Sequence, residues 1–232
     1  MCTSSGLYFF GVSAAVPAGV RTRVKIAFFG FGAVEILRRA TTTNAVTTVA
    51  GEFLLECRVN YPVTVELVDG QVSPGPRPTL EESLLTFTAF QYNSSRTTAN
   101  AWSVYRDSNW TVGASAIDPF AFDGSDVETV GSVTWSTTTH EATITVTGNY
   151  YVYVSGATQP NNALGLTVKL NGVGVFGVNH FATNSDGPNT MGHGVVLYLY
   201  AGDRLKVVAE PNTAGFSGSA LRHASFFGFL II

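Results

Sequence analysis

Along most of the chain apolar and polar side chains alternate one for one, as they do in strands with one buried face. In EFLLECRVN, Phe53, Leu55, Cys57 and Val59 fall on one face, and Glu52, Leu54, Glu56 and Arg58 on the other. After Asn60-Tyr61-Pro62 the alternation resumes, with Val63, Val65 and Leu67 set against Thr64 and Glu66. β-Branched and aromatic residues fill these runs, and Gly, Asn, Asp and Pro punctuate them. KLNGVGVF reads as a hairpin with Asn171-Gly172 at its tip. Only Ala33 to Arg39 has a spacing that suits a turn or two of helix. The pattern predicts an all-β chain of short antiparallel strands.

The pattern also repeats. GLYFFGVSAAV from Gly6 matches GNYYVYVSGAT from Gly148, and RVKI from Arg23 matches TVKL from Thr167. EFLLECRVNYPVTVELV from Glu52 matches GVVLYLYAGDRLKVVAE from Gly194, and LTFTAFQY from Leu85 matches ASFFGFLI from Ala224. Four matches in one order at similar spacing predict two copies of one unit. Residues 101–232 form a complete copy, residues 93–100 a linker, and residues 1–92 a copy without its front strands. Ala101 to Val146 supplies about four strands before Gly148, whereas only MCTSS precedes Gly6. Cys2 then stands where Ile144 stands. In this reading Tyr8, Phe10, Phe53 and Leu55 lack an opposing sheet, a loss of roughly 6–12 kcal/mol at ~25 cal/mol per Å2 of apolar surface. The expected remedy is that further residues ahead of Met1, or another polypeptide, supply the front strands.

The strand GNYYVYVSGA, the pair GVVLYLYAGDRLKVVAE with Ala201-Gly202-Asp203 at its turn, the closing SFFGFLII and the opening AWSVYR resemble the globular C1q-head family of the C1q and tumour necrosis factor superfamily. The first copy departs from the pattern: Asn60-Tyr61-Pro62 replaces Ala-Gly-Asp, and Ala89 replaces the closing Gly. The resemblance implies two tandem antiparallel β-sandwich jelly rolls, the first N-terminally incomplete. It also implies assembly as trimers, and target binding rather than catalysis. Some members bind calcium through acidic side chains near the trimer axis. The corresponding loop here, VNHFATNSDGPNTMGHG, offers Asn179, Asp186 and Asn189 as a weak calcium candidate, with one carboxylate among them. The family fold places the strands of Cys2 and Cys57 in opposite sheets. The two are either a bridge across the sandwich or two buried thiols.

Composition narrows the function. Charged residues make up only 12% of the 232, about half the usual ~25%, while 45% are hydrophobic. So few charges point to surface hidden in an assembly or solubilised by glycans. The net charge of −3 predicts neither nucleic-acid nor anionic-membrane binding, and no apolar run reaches the ~18 residues of a membrane span. The sequons at Asn93 and Asn109 suit a secreted glycoprotein. His140, His180, His193 and His223 have no ligand-like spacing. GFSGSA at Gly215 is not a nucleophile elbow, and Gly172-Val173-Gly174 has no helix after it to cradle phosphate. No catalytic residue, cofactor or enzymatic activity is expected.

Tyr151, Tyr153, Tyr198 and Tyr200 share the outward parity of neighbouring strands in the second copy. So large an apolar patch predicts an oligomer interface. The first copy has Phe9, Gly11, Glu56 and Arg58 at these positions, so the two copies are expected to make different contacts. The expected protein is a secreted, trimeric, lectin-like recognition molecule for glycans or microbial surfaces, of the kind found in invertebrate innate immunity. Alternatives are a structural protein of egg, shell matrix or extracellular fluid, and a viral or phage receptor-binding trimer.

Overall fold

The computed structural model describes residues 2–16, 21–28, 31–39, 47–69, 85–93, 100–127, 129–131, 133–158, 161–181, 189–216 and 224–231. All regular elements among them are strands. The first unit comprises β1 (Gly6–Val16), β2 (Arg21–Phe28), β3 (Phe31–Arg39), β4 (Thr47–Cys57), β5 (Val63–Asp69) and β6 (Leu85–Asn93). They form two antiparallel sheets, ordered β4-β1-β6 and β3-β2-β5. β3 covers the stretch whose spacing suggests helix. Its pairing with β2, from Arg21↔Arg39 to Phe28↔Phe31, makes it a strand.

The second unit contains β7 (Ala101–Arg106), β8 (Trp110–Thr111), β9 (Gly124–Val127), β10 (Thr129–Val130), β11 (Val133–Ser136), β12 (Glu141–Ile144), β13 (Gly148–Thr158), β14 (Ala163–Leu170), β15 (Val173–Phe181), β16 (Asn189–Leu199), β17 (Arg204–Ala209), β18 (Ala214–Phe216) and β19 (Ala224–Ile231). One sheet runs β8-β18-β13-β19-β7-β9, with β16 on the other edge of β13; the facing sheet runs β10-β11-β12-β17-β14-β15. The first strand, β7, lies beside the last, β19. Trp102, Phe120, Tyr150, Leu166 and Phe226 are among the buried side chains between the sheets. This is an all-β jelly-roll sandwich.

The strand pairing of the first unit matches that of six strands of the second. Sheet β4-β1-β6 corresponds to β16-β13-β19, and β3-β2-β5 to β15-β14-β17. The register recurs at an offset of 142 residues: Gly6↔Cys57 becomes Gly148↔Leu199, and Ile26↔Val65 becomes Val168↔Val207. In the last strand the offset is 139, since Phe9↔Phe90 becomes Tyr151↔Phe229. The pairing of β2 corrects one match. Arg23 corresponds to Gly165 rather than Thr167, a slip of two residues that leaves inward and outward faces unchanged.

Single hydrogen bonds recur as well. Cys2 N–H donates to Tyr61 O and Asn60 N–H to Cys2 O, as Ile144 N–H donates to Asp203 O and Gly202 N–H to Ile144 O. Val59 N–H donates to the Ser5 hydroxyl, as Ala201 N–H does to that of Thr147. The Tyr8 hydroxyl donates to Ser4 O, as that of Tyr150 does to Val146 O. Val59-Asn60-Tyr61 is therefore the counterpart of Ala201-Gly202-Asp203, one residue earlier than the motif match places it. Cys2 and Cys57 form a disulfide with Cα atoms 6.3 Å apart. It joins the end of β4 to the segment bonded beside Tyr61, and so clips one sheet to the turn that leads into the other.

Tyr8, Phe10, Phe53 and Leu55 are buried together with Val24 and Ile26. The expectation that they face no opposing sheet is corrected: β2 and β5 supply it, with Val63 and Val65 packed at its margin. The exposed aromatic of this core is Phe87, stacked on Phe10 and 45% accessible. Its counterpart Phe226 is enclosed by Trp102, Phe122 and Trp135.

Candidate functional site

The two sandwiches meet face to face. Strands β1 and β4 turn Leu7, Phe9, Glu52 and Leu54 away from their own core. Strands β13 and β19 do the same with Tyr151, Tyr153, Phe227 and Phe229. These outward faces form one apolar seam in which Leu7, Leu54, Ala101, Tyr153, Phe227 and Phe229 are buried, with Phe9, Tyr92 and Tyr151 at the margin. The Phe9 ring lies 6.1 Å from Tyr151, 6.4 Å from Phe227 and 6.1 Å from Phe229. These edge-on pairs suit the ring quadrupole.

Small residues let the seam close. The hydroxyl ends of Tyr151 and Tyr153 lie over Gly194 and Gly192 of β16. A Cβ at either glycine would overlap a tyrosine ring atom, so a larger residue would lift the rings into the facing sheet. At the end of β6 the Tyr92 hydroxyl donates to Asn100 O at 3.2 Å and to Leu230 O at 3.0 Å, fastening the end of the first unit to the second. Burial, then Tyr150, pushes the Tyr92 phenol up to about 12, so it stays a donor at physiological pH.

The carboxylate of the seam is Glu52, at the position Gly194 holds in the second unit. It accepts a hydrogen bond from the Tyr151 hydroxyl. Burial raises the Glu52 carboxyl above its ordinary value, and the Tyr151 bond opposes this only in part. Burial and the nearby Glu52 together raise the Tyr151 phenol. Beside the pair opens a cleft of about 540 Å3, walled by Phe9, Phe90, Tyr92, Tyr151, Phe229 and Ile231. A second cleft of about 330 Å3, between Ser13, Gly51 and Thr88, reaches Phe9 and Glu52 from the other side.

This arrangement revises the surface of four tyrosines. Tyr151 and Tyr153 face the chain's own first unit, and Tyr153 is 4% accessible. Leu7, Leu54 and Phe9 are apolar enough to cover them. Tyr198 and Tyr200 remain exposed at 57% and 62%, their rings 5.2 Å apart, alongside Val196 at 58%. In β16, Tyr198 pairs with Asn149 and Val196 with Tyr151, so the exposed strip borders the covered seam.

Of the calcium candidates, Asn179 is exposed on β15 and Asn189 opens β16, while Asp186 and the side chain of Asn189 lie outside the described residues. No group of three His, Cys, Asp or Glu side chains that could hold a metal occurs among the described residues. Asn109 is exposed; Asn93 ends β6, and its side chain lies outside the described residues. His193 packs against Phe176 with Nδ1 3.1 Å from Gly177 O, and His140 sits beside Trp135. His223 and residues 217–222 of the Gly215 loop lie outside the described residues. No helix among the described residues is long and apolar enough to cross a membrane.

Sequence reasoning misses Glu52 and the outward residues Leu7, Leu54, Phe227 and Phe229. Their signal is present: LYFF, FLL and SFFGFL are continuous apolar runs, as expected of strands buried on both faces.

No family model matches the chain, and no curated protein matches it. Among solved structures it is similar to the globular domain of zebrafish complement 1qA, with 22% identity over 57% of this chain and 98% of that one, TM-score 0.43. It is also similar to murine APRIL, with 12% identity over 58% and 100%, TM-score 0.47. A third is Eiger TNF from S. frugiperda, with 14% identity over 58% and 94%, TM-score 0.46. The solved structures to which the chain is similar are thus C1q and tumour necrosis factor domains, which are jelly rolls.

Proposed function

We propose that the chain is a secreted, non-enzymatic recognition protein built from tandem C1q-like units, residues 1–92 and 101–232 joined by 93–100. It self-associates as a trimer and binds glycan or microbial-surface ligands multivalently. The observation that carries this reading is the exposed strip Val196, Tyr198 and Tyr200. It remains open after the chain has covered the rest of that face with its own first unit. Monomers seldom expose such contiguous apolar surface, and tyrosine is enriched where proteins meet. The recurring strand register, offset by 142 residues and by 139 in the last strand, supports the tandem reading. The Cys2–Cys57 disulfide supports an oxidising compartment, and Asn93 and Asn109 are the proposed glycan acceptors. Trimerisation multiplies weak single-site affinities into avidity.

The test has two parts. Sedimentation of the native protein should give three chain masses, and Tyr198→Ser with Tyr200→Ser should give one. A glycan array probed with the wild-type trimer should then show ligands that the double variant binds far more weakly. A structural role in an extracellular matrix is the second reading, favoured by the 12% charged residues. A trimer that binds nothing on the array supports it.

A further inference from the structure

The seam cleft has the features of a small-molecule site. About 540 Å3 is within the usual range for such sites, and it opens between two packed units where such sites gather. Its walls are mainly aromatic, with Phe9 and Phe90 stacked at 5.0 Å and Tyr92 and Phe229 4.7 Å apart, and Gln91, Leu230 and Ile231 complete the lining. Phe90 is 46% accessible although it is large and apolar, so one wall of the cleft still has surface to bury.

Into this apolar space comes one carboxylate. Glu52 takes a hydrogen bond from Tyr151, which leaves lone pairs over, since a carboxylate accepts about four such bonds. Neither the pair of Lys25 with Glu66 nor the pairs of Asp118 with Lys169 and Lys206 involve it. A half-buried carboxylate beside aromatic faces attracts a cation twice, through its charge and through the ring quadrupoles. The same charge repels fatty acids and other anions.

We propose that this cleft binds an organic amine, its protonated nitrogen at Glu52 and its apolar body along Phe9, Phe90 and Phe229. The residues involved are separate from Tyr198 and Tyr200, so the Tyr198→Ser, Tyr200→Ser pair should leave amine binding unchanged.

Titration calorimetry of the full chain at neutral pH, with octylamine, octanol and octanoate, tests it. One octylamine should bind per chain, at least about tenfold more tightly than octanol, and octanoate should not bind. Glu52→Gln should reduce octylamine to the affinity of octanol and leave octanol unchanged. Phe90→Ser, at an exposed position, should weaken both. Equal binding of octanoate and octylamine overturns the proposal, as does wild-type affinity in Glu52→Gln. A second copy filling the cleft also overturns it; then no amine binds, and Phe90→Ser breaks the assembly into single chains.

Discussion

Asn60 and Gly202 occupy the same turn in the two units, with φ of 66° and 97°. Both values lie where an L side chain is strained, and asparagine tolerates the region better than most residues. A Cβ at Gly202 would meet nothing within 4 Å, so the cost of substitution there is conformational. Gly202→Ala should lose about 1–2 kcal/mol in urea unfolding, while Asn60→Gly should leave stability nearly unchanged. The other departure from the family pattern has a physical reason too. Gly228 lies under the Trp102 ring and has no room for a Cβ, whereas its counterpart Ala89 is exposed. Glu52 yields a pH prediction. Its folded-state carboxyl is raised, so this residue's contribution to stability is full below the unfolded value of about 4.3. That contribution falls as pH rises through the raised folded value. Glu52→Gln escapes this loss. Its melting temperature should match wild type near pH 4 and exceed it increasingly toward pH 7.

At the scale of elements, alternation places Tyr8, Phe10, Phe53 and Leu55 correctly in the core, but not Val59 and Leu67, which share their parity and are exposed near the ends of the strand pattern. Alternation does not reveal what lies across from the buried four. The strands that cover this core, β2 and β5, are in the first unit itself and pair with each other. The segment at Ala33 to Arg39 mixes charged and aliphatic residues in a spacing that serves helix and strand alike, and its partner β2 decides for strand. The disulfide closes a separation of 55 residues, which by loop-closure entropy corresponds to about 4 kcal/mol. Replacing both cysteines by serine should lower the unfolding free energy of the first unit, extrapolated from urea titration, by that order. Retention of the wild-type free energy would mean that the backbone bonds of Cys2 with Asn60 and Tyr61 hold the two sheets without it.

For the whole molecule, the outward tyrosines carry the difference between sequence and structure. Four residues of one parity read as one interface, but a strand's outward face can meet another part of the same chain as readily as another chain. Tyr151 and Tyr153 are covered from within, and the strip at Val196, Tyr198 and Tyr200 is left for a partner. The self-association proposed here rests on that remainder. Sedimentation velocity of the wild-type chain and of the Tyr198→Ser, Tyr200→Ser pair, across micromolar concentrations, tests it most directly. Wild type should sediment as a single species of three chain masses and the variant as one chain mass, with the same unfolding midpoint for the first unit. A wild-type chain that sediments as a single copy throughout, or a variant that keeps the wild-type mass, would contradict it.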